Sequence, residues 1–194
     1  MKLDTALKNF ASAFAAGPDN FGTVQHRAPQ PVAAPIPLGA VLTQYYAKLA
    51  IGDKAQVSGA LLLHLFALDR IDSAQHGWRW IGAKDGSVTE NPRWNRDWVV
   101  IADHHGDAII VDDSSAGGTV FGAIGSHHFK IADDLAGFLQ AMAEAMLVEV
   151  ETYDYEVYDD DDNPLPVFLD EISAIARRVL GPDGEAGFMA FFFG

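Results

Sequence analysis

The chain has 194 residues, a mass of 20.9 kDa and no cysteine, which excludes disulfides, thiolate metal sites and cysteine nucleophiles. Thirteen Lys and Arg against 27 Asp and Glu give a formal net charge of -14, and such a chain repels the phosphates of nucleic acid. Hydrophobic residues at 49% and charged residues at 21% are typical of a globular chain. No apolar run approaches the roughly 18 residues of a membrane span. We therefore expect a cytoplasmic protein that binds neither nucleic acid nor membranes.

The first third of the chain predicts two helices and a linker. Residues 1–17 carry apolar residues at helical spacing, which favours an amphipathic helix ending at Gly17-Pro18 over a cleaved signal peptide. Residues 18–37 hold five of the nine prolines, so we interpret 18–36 as an extended linker. Pro37 fits the first turn of a second amphipathic helix over 38–49. We predict that the main domain covers 37–194.

The segment between residues 59 and 97 is less clearly patterned. The run 60–68 is almost wholly apolar and is bounded by Gly59 and Asp69, so it predicts either a buried strand or a buried helix. Asp72 is placed to cap a short helix. Four tryptophans follow within 21 residues, and a core cluster is the expected outcome for them, with ligand stacking as the alternative.

The middle third predicts an antiparallel meander of four short strands near 98–102, 108–111, 119–124 and 127–131, joined by glycine-containing turns. Both faces of the first two strands are apolar, which indicates helices packed on at least one face. Asp133 or Asp134 can cap the helix that follows. The predicted fold class is therefore α+β, an antiparallel sheet with helices packed against it.

The last third contains most of the acidic charge. Residues 144–162 hold nine carboxylates and no Lys or Arg, which leaves a formal charge of -5 for the rest of the chain. The pattern over 148–158 suits a strand or an acidic extension of the preceding helix, and 159–163 predicts a loop. A final helix over 168–180 is expected to stop at Gly181-Pro182. The apolar tail 187–194 predicts a strand or a buried interface.

Histidines and aspartates of the meander are candidates for metal chemistry. His104-His105 with Asp107, and His127-His128, offer ligands that zinc or nickel would accept. Adjacent residues on a strand point to opposite faces, however, and no helical HxxxH or HExxH spacing is present. We therefore predict no metal site.

Asp112-Asp113 with Asp107 could form a magnesium or acid/base pair, but aspartates before a Ser-Ser-Ala-Gly-Gly turn are more often turn formers. The chain also lacks a P-loop lysine after Gly117-Gly118 and a G-x-S-x-G around its serines. These absences predict a protein that is not an enzyme and has no cofactor.

The order of several motifs resembles the SMI1/KNR4 family of the SUKH superfamily, roughly over 37–146 and most strongly over 94–139. The motifs are Asn91-Pro92-x-Trp94-x-x-Asp97-Trp98-Val99-Val100-Ile101-Ala102, Gly106-Asp107-x-Ile109-Ile110-Val111-Asp112, Gly118-Thr119-Val120-Phe121 and Ile131-Ala132-Asp133-Asp134-Leu135-x-x-Phe138-Leu139. The family's structural motif would then include Trp94, Trp98, Gly106, Asp107 and Asp112. The resemblance implies an α+β fold and a non-enzymatic binding role. Many bacterial members are immunity proteins that neutralise polymorphic or contact-dependent toxins, often nucleases, and fungal members are regulatory scaffolds.

We expect the acidic segment to contact a protein partner. A nuclease toxin has a basic substrate groove that clustered carboxylates can occupy, and tyrosines are common interface anchors. The predicted contact residues are Tyr153, Asp154, Tyr155, Glu156, Tyr158, Asp159, Asp160, Asp161 and Asp162. Three alternatives remain open: an acidic loop kept for solubility, a general interaction scaffold of the same fold, and a metal-dependent hydrolase using His104, Asp107 and Asp112.

Overall fold

The computed structural model describes residues 1–84 and 86–194, and these form an α+β fold with antiparallel sheets and four α-helices. The helices are α1 (Leu3–Ala16), α2 (Ala40–Lys48), α3 (Leu135–Glu151) and α4 (Pro166–Phe193). The α+β prediction is confirmed at this level. Asp134 caps α3, since its side chain accepts a hydrogen bond from the amide of Gly137 at 2.6 Å.

The main sheet has six strands in the order β10-β9-β8-β7-β4-β3, and β1-β2 and β5-β6 form two further pairs. The predicted four-strand meander is confirmed as β7 to β10, each strand antiparallel to the next. The strands are β1 (Val24–His26), β2 (Leu49–Ile51), β3 (Gln56–Val57), β4 (Leu63–Leu65), β5 (Trp80–Gly82), β6 (Val88–Glu90), β7 (Trp98–His104), β8 (Asp107–Asp112), β9 (Thr119–Ile124) and β10 (His127–Ala132).

The two faces of the meander belong to two separate apolar clusters. Val99 and Val111 point into the main core with α1, α3 and α4. Val100 and Ile110, one position away on each strand, point to the other face and pack with Trp94. This alternation follows from the two-residue period of a strand. The prediction that both faces are buried is confirmed, with helices covering one face only.

The N-terminal helix is part of the main core. α1 packs along α3, and its Leu7, Phe10 and Phe14 are buried in the same cluster as the meander. The proline-rich segment 18–36 contains strand β1, which pairs with β2 directly after α2. Asp4 on α1 accepts hydrogen bonds from Lys48 at 2.7 Å and from His26 at 3.1 Å. The β1–β2 pairing and the contact of His26 with Asp4 therefore attach the proline-rich segment to the rest of the fold.

The apolar run 60–68 forms neither one strand nor one helix. It contains most of a 3-10 turn, Gly59–Leu61, and then β4. Glu149 on α3 explains the turn, because its buried carboxylate accepts a hydrogen bond from the amide of Ala60 at 2.6 Å. Gly59 has φ +78 and lies so close that a Cβ there would overlap the Glu149 carboxylate. The short helix expected after Asp72 is also a single 3-10 turn.

The C-terminal tail is helical, so the strand alternative for it was wrong. Gly181 adopts φ 79 and ψ 177, which breaks the helical path, but Pro182 then starts a second helical stretch, so α4 consists of two stretches joined at a kink. Gly184 and Gly187 let the second stretch approach β10 closely, because a Cβ at 187 would overlap the carbonyl oxygen of Lys130. Phe191 and Phe192 are buried in the main core.

Replacing Gly187 with Ala is expected to lower the free energy of unfolding by about 1–3 kcal/mol, because the new methyl group must push α4 away from β10. Gly82→Ala is the matched control, since a Cβ there meets nothing within 4 Å. Chemical denaturation of both variants measures the difference, and equal stabilities would contradict the close packing.

Glu149→Ala is expected to lower the free energy of unfolding by about 1–3 kcal/mol, because the Ala60 amide loses its acceptor. Burial raises the pKa of Glu149, opposed by hydrogen bonds from Ala60 and Leu61. Folding therefore favours the protonated carboxyl, and its contribution is fully present below the ordinary pKa of 4.5 and falls as the pH rises through the folded pKa.

Glu149→Gln is the control, since the amide keeps an acceptor and cannot ionise. Relative to this variant, the unmodified protein should lose stability between pH 4.5 and neutral pH in urea titrations. Parallel pH profiles of the two proteins would show that the carboxyl pKa is not raised.

Candidate functional site

The predicted contact residues lie on the connection between α3 and α4, and this connection is anchored to the body. The helix ends at Glu151, so the strand alternative for 148–158 was wrong. Val157 is fully buried in the main core, and its carbonyl accepts a hydrogen bond from the amide of Leu165 at 2.8 Å. Tyr158 and Pro164 form a bridge just beyond that bond. The residues between them therefore project as a short closed loop.

Asp159 fixes the conformation of this loop. Its Oδ1 atom accepts hydrogen bonds from the amides of Asn163 and Asp161, each at 2.9 Å, and from the Asn163 side chain at 3.3 Å. These bonds, with the Asn163 amide foremost, lower the pKa of Asp159. Because Asp159 is used locally, Asp160, Asp161 and Asp162 are left exposed at the tip.

Backbone strain accompanies this geometry. Asp154, Tyr155 and Asp162 have φ of 48, 65 and 60, in the left-handed region that non-glycine residues seldom adopt. Each such residue costs about 1–3 kcal/mol and persists only where the surroundings fix it. For Tyr155 the surroundings are α1, because a Cβ on Gly17 would lie 2.7 Å from its hydroxyl oxygen.

Only one of the three predicted tyrosine anchors projects freely. The Tyr153 ring packs against Phe168 with centroids 5.4 Å apart, and its hydroxyl donates to Glu171 at 3.1 Å. Tyr155 is half-buried against α1, and burial raises the pKa of its hydroxyl. Tyr158 is 47% exposed. The aromatic part of the surface is therefore smaller than the sequence suggested.

Two of the nine carboxylates in 144–162 do not contribute to the surface. Glu149 is buried, and Glu144 forms an ion pair with Arg178 on α4. The other seven are exposed, and among the ion pairs of the described residues none involves them. These seven are Glu151, Asp154, Glu156, Asp159, Asp160, Asp161 and Asp162.

Three further residues, which were not among the predicted contact residues, extend this surface. Val167, Asp170 and Glu171 lie on the first turns of α4 and are exposed, Val167 at 60%. Their spacing of i, i+3 and i+4 places them on one helix face, opposite to the buried Phe168 and Ile172. The same spacing, counted from Pro166 as the first helical residue, would have identified them. We call these three residues together with 151–162 the acidic connection.

The tryptophans of the family-like motif have structural contacts. Trp94 is buried, its Nε1 donates to the carbonyl of Trp98 at 3.1 Å, and the two rings are 5.7 Å apart. Gly106 turns β7 into β8 with φ +93. Its amide donates to Asp103 at 3.0 Å. Core and turn roles account for all three.

The aspartates at the ends of β8 form turns or caps. Asp112 accepts hydrogen bonds from the amide and hydroxyl of Ser114 at 3.1 and 2.6 Å, so the turn-former prediction is confirmed for it. Asp113 instead caps α2, accepting from the amides of Gly39 and Leu42. Asp107 begins β8, opposite His104 on β7.

The structure does not bring together the three residues of the hydrolase alternative, His104, Asp107 and Asp112. His104 and Asp107 lie at one end of the β7–β8 pair and Asp112 at the other, about 17 Å away at 3.4 Å per residue. His104 contacts the carbonyl of Leu62 at 2.6 Å, and burial lowers its pKa. Within residues 1–84 and 86–194, no three His, Asp or Glu side chains are grouped to hold a metal ion.

No protein family, curated protein or solved structure matches this chain. The likeness to the SMI1/KNR4 motifs therefore stays a prediction. In the part of the chain that the structure describes, no helix has the length and apolar character to cross a membrane.

Asp159→Ala is expected to release the loop between Tyr158 and Pro164, because the amides of Asp161 and Asn163 lose their acceptor. Hydrogen exchange of these two amides should accelerate, whereas Asp160→Ala, the control, should leave both unchanged. Asp159 has a lowered pKa, so the loop should keep its protection above the ordinary value of 3.8 and lose it as the pH falls through the folded pKa. Unchanged exchange in Asp159→Ala would contradict the assignment.

Proposed function

We propose that this chain is a non-enzymatic binding protein of the SMI1/KNR4 type that neutralises a basic protein partner through the acidic connection. The observation that carries the proposal is a set of seven exposed carboxylates between Glu151 and Asp162 that form no ion pair with another described residue. Four of them, Asp159 to Asp162, follow the exposed Tyr158 on a loop whose conformation Asp159 fixes. The partner we infer is a toxin domain with a cationic substrate groove, so the protein would act as an immunity protein.

Unpaired carboxylates favour binding because their field extends into solvent. A cluster of one sign attracts an oppositely charged partner and raises the association rate by roughly 10-fold to 1000-fold. Glu144 and Glu185, by contrast, are engaged by Arg178 and Arg177. The acidic connection is thus the part of the C-terminal region where exposed carboxylates without an ion pair are clustered.

The fixed backbone supports tight binding as well as attraction. A loop that is ordered before binding loses less conformational entropy when the partner arrives. Tyr158 and Val167 add exposed apolar area among the charges, as expected for an interface anchor within a polar rim. A loop kept only for solubility would need neither a fixed backbone nor exposed apolar side chains.

The likeness to the SMI1/KNR4 motifs supports the same reading of the fold. The motifs fall mainly on β7, β8, β9, the end of β10 and the start of α3, so their order follows the meander and the helix after it. Their residues serve as core and turn positions, which is consistent with a binding protein and not with a catalytic centre.

Neutralising the loop tip tests the proposal. The variant E156Q/D160N/D161N/D162N spares Asp159 and removes four negative charges from the acidic connection. Its matched control, D69N/D72N/D97N/D183N, removes four exposed charges elsewhere. We expect the first variant to associate about tenfold or more slowly with the purified toxin domain encoded by the neighbouring open reading frame, and the control to be unchanged.

Surface plasmon resonance at increasing salt measures these rates, and the advantage of the unmodified protein should shrink as salt rises. Equal association rates for the two variants would remove the electrostatic mechanism. Tight binding to a non-toxic neighbour would favour the scaffold alternative over immunity.

A further inference from the structure

The face of the meander turned away from the helices has a cover of its own. Val100, Ile110 and Ala123 are buried there under Trp94, and Trp78, Trp98 and Phe121 pack at the margin. Segment 66–98 provides this cover, and its described residues contain no α-helix. All four tryptophans of the chain lie in this segment. We call this side of the molecule the tryptophan face.

A hairpin extends from the tryptophan face and is exposed on both sides. It consists of β5 and β6, which pair only with each other among the described strands. Its described residues from Ile81 to Thr89 are all exposed, including Ile81 at 36% and Val88 at 55%. An isolated two-stranded hairpin is marginally stable in water, and its open edges can accept a further strand.

The base of the hairpin is held in place by charged and aromatic contacts. Arg79 pairs with Glu90 at 3.2 Å and lies over the Trp80 ring, 5.0 Å from its centroid. The amide of Asn91 donates to the carbonyl of Arg79 at 2.7 Å. The carbonyl of Trp80 also accepts a hydrogen bond from the amide of Gly77 at 2.8 Å. The hairpin is therefore anchored at its base on the β5 side, and its open edge is that of β6, which pairs only with β5 among the described strands.

A groove of about 670 Å³ separates the hairpin from the β9–β10 turn. Ile81 lines one side, and Gly125 and Ser126 line the other. Trp78 and Trp94, with ring centroids 6.2 Å apart, form its aromatic lining. A groove of this shape and chemistry fits a large apolar side chain.

The tryptophan face lacks the net negative charge of the rest of the chain. Residues 66–98 hold five Lys and Arg against five Asp and Glu, a net charge of zero within a protein of net charge -14. Arg79 and Arg96 both pair with Glu90. Arg93, which lines the groove, is exposed and forms no ion pair with another described residue.

We infer that the tryptophan face binds an extended segment of a partner protein that combines an apolar side chain with carboxylates. The apolar side chain occupies the groove beside the Trp78–Trp94 pair, a carboxylate pairs with Arg93, and the backbone lies along the open edge of the hairpin. This inference concerns a surface different from the acidic connection and a partner of opposite charge, so it does not depend on the proposed function.

Nucleic acid fits the face less well than an acidic peptide. Stacking on tryptophan would suit unpaired bases, but phosphate binding needs several free cations. Two of the arginines near the hairpin are already paired with Glu90, and the whole chain is strongly acidic. Arg93, beside an apolar groove, is instead suited to a single carboxylate next to a large side chain.

The test is selection of a phage-displayed library of random dodecapeptides on the full-length protein. We expect enrichment of sequences that combine Asp or Glu with Leu, Phe, Tyr or Trp. Synthetic peptides from the enriched set are then titrated while tryptophan emission is recorded, since every tryptophan lies in 78–98. Their affinity should fall about tenfold or more in Arg93→Glu and in Ile81→Asp. Both substitutions are at exposed positions, so the fold is kept.

Lys8→Glu on the exposed side of α1 is the matched control for charge reversal and should bind like the unmodified protein. The inference is overturned by no enrichment, by enriched sequences that are basic, or by equal affinity in Arg93→Glu. Tighter binding of oligothymidylate than of any selected peptide would assign the face to nucleic acid. Self-association that disappears in Ile81→Asp would assign it to a second copy of the chain.

Discussion

Helix α3 is apolar around most of its circumference, and much of the rest of the chain is arranged to cover it. Ten of its 17 residues are buried, a pattern typical of a helix without a solvent face. The meander covers one side, and α1 and α4 pack along others. Near its C-terminal end the buried Glu149 needs donors, which the turn at Gly59 supplies. The acidic connection therefore leaves the core from a position fixed by packing.

Carboxylates in this protein are held in two different ways, either paired within the fold or exposed without an ion pair. Glu144 and Glu185 are matched by arginines of α4, and Glu149 by backbone amides, so each has a partner within the fold. In the acidic connection, Asp159 and Glu171 accept hydrogen bonds from neutral groups, which leaves their charge uncancelled. The charges of this surface repel one another, at a cost to the folded state, and such a cost is commonly retained where a binding site needs it.

Local patterns were sufficient for the elements whose signals are local. Short apolar runs joined by glycine-containing turns predicted β7 to β10, and Asp133 or Asp134 before an apolar stripe predicted the start of α3. The strand prediction for the tail was wrong because Gly181-Pro182 is typical of a helix end. In the structure a second helical stretch begins at Pro182 and packs through Gly184 and Gly187 on β10, which is distant in sequence. The contact of Tyr153 with Phe168 was likewise not evident from the sequence, because it depends on the tertiary structure. The spacing of residues predicts which side chains share one face of a helix or strand, but not which part of the fold that face packs against.

The acidic connection and Arg93 of the tryptophan face are separated by the layers of the fold. The acidic connection joins α3 to α4 on the helix side of the sheet, and the tryptophan face lies on the other side. Packed layers are spaced about 10 Å apart, comparable with the Debye length of about 8 Å at physiological ionic strength. Solvent-exposed charges on the two sides are therefore largely screened from each other. The proposed acidic ligand can therefore approach Arg93 although the whole protein is negative, and the proposed basic partner can bind the acidic connection at the same time.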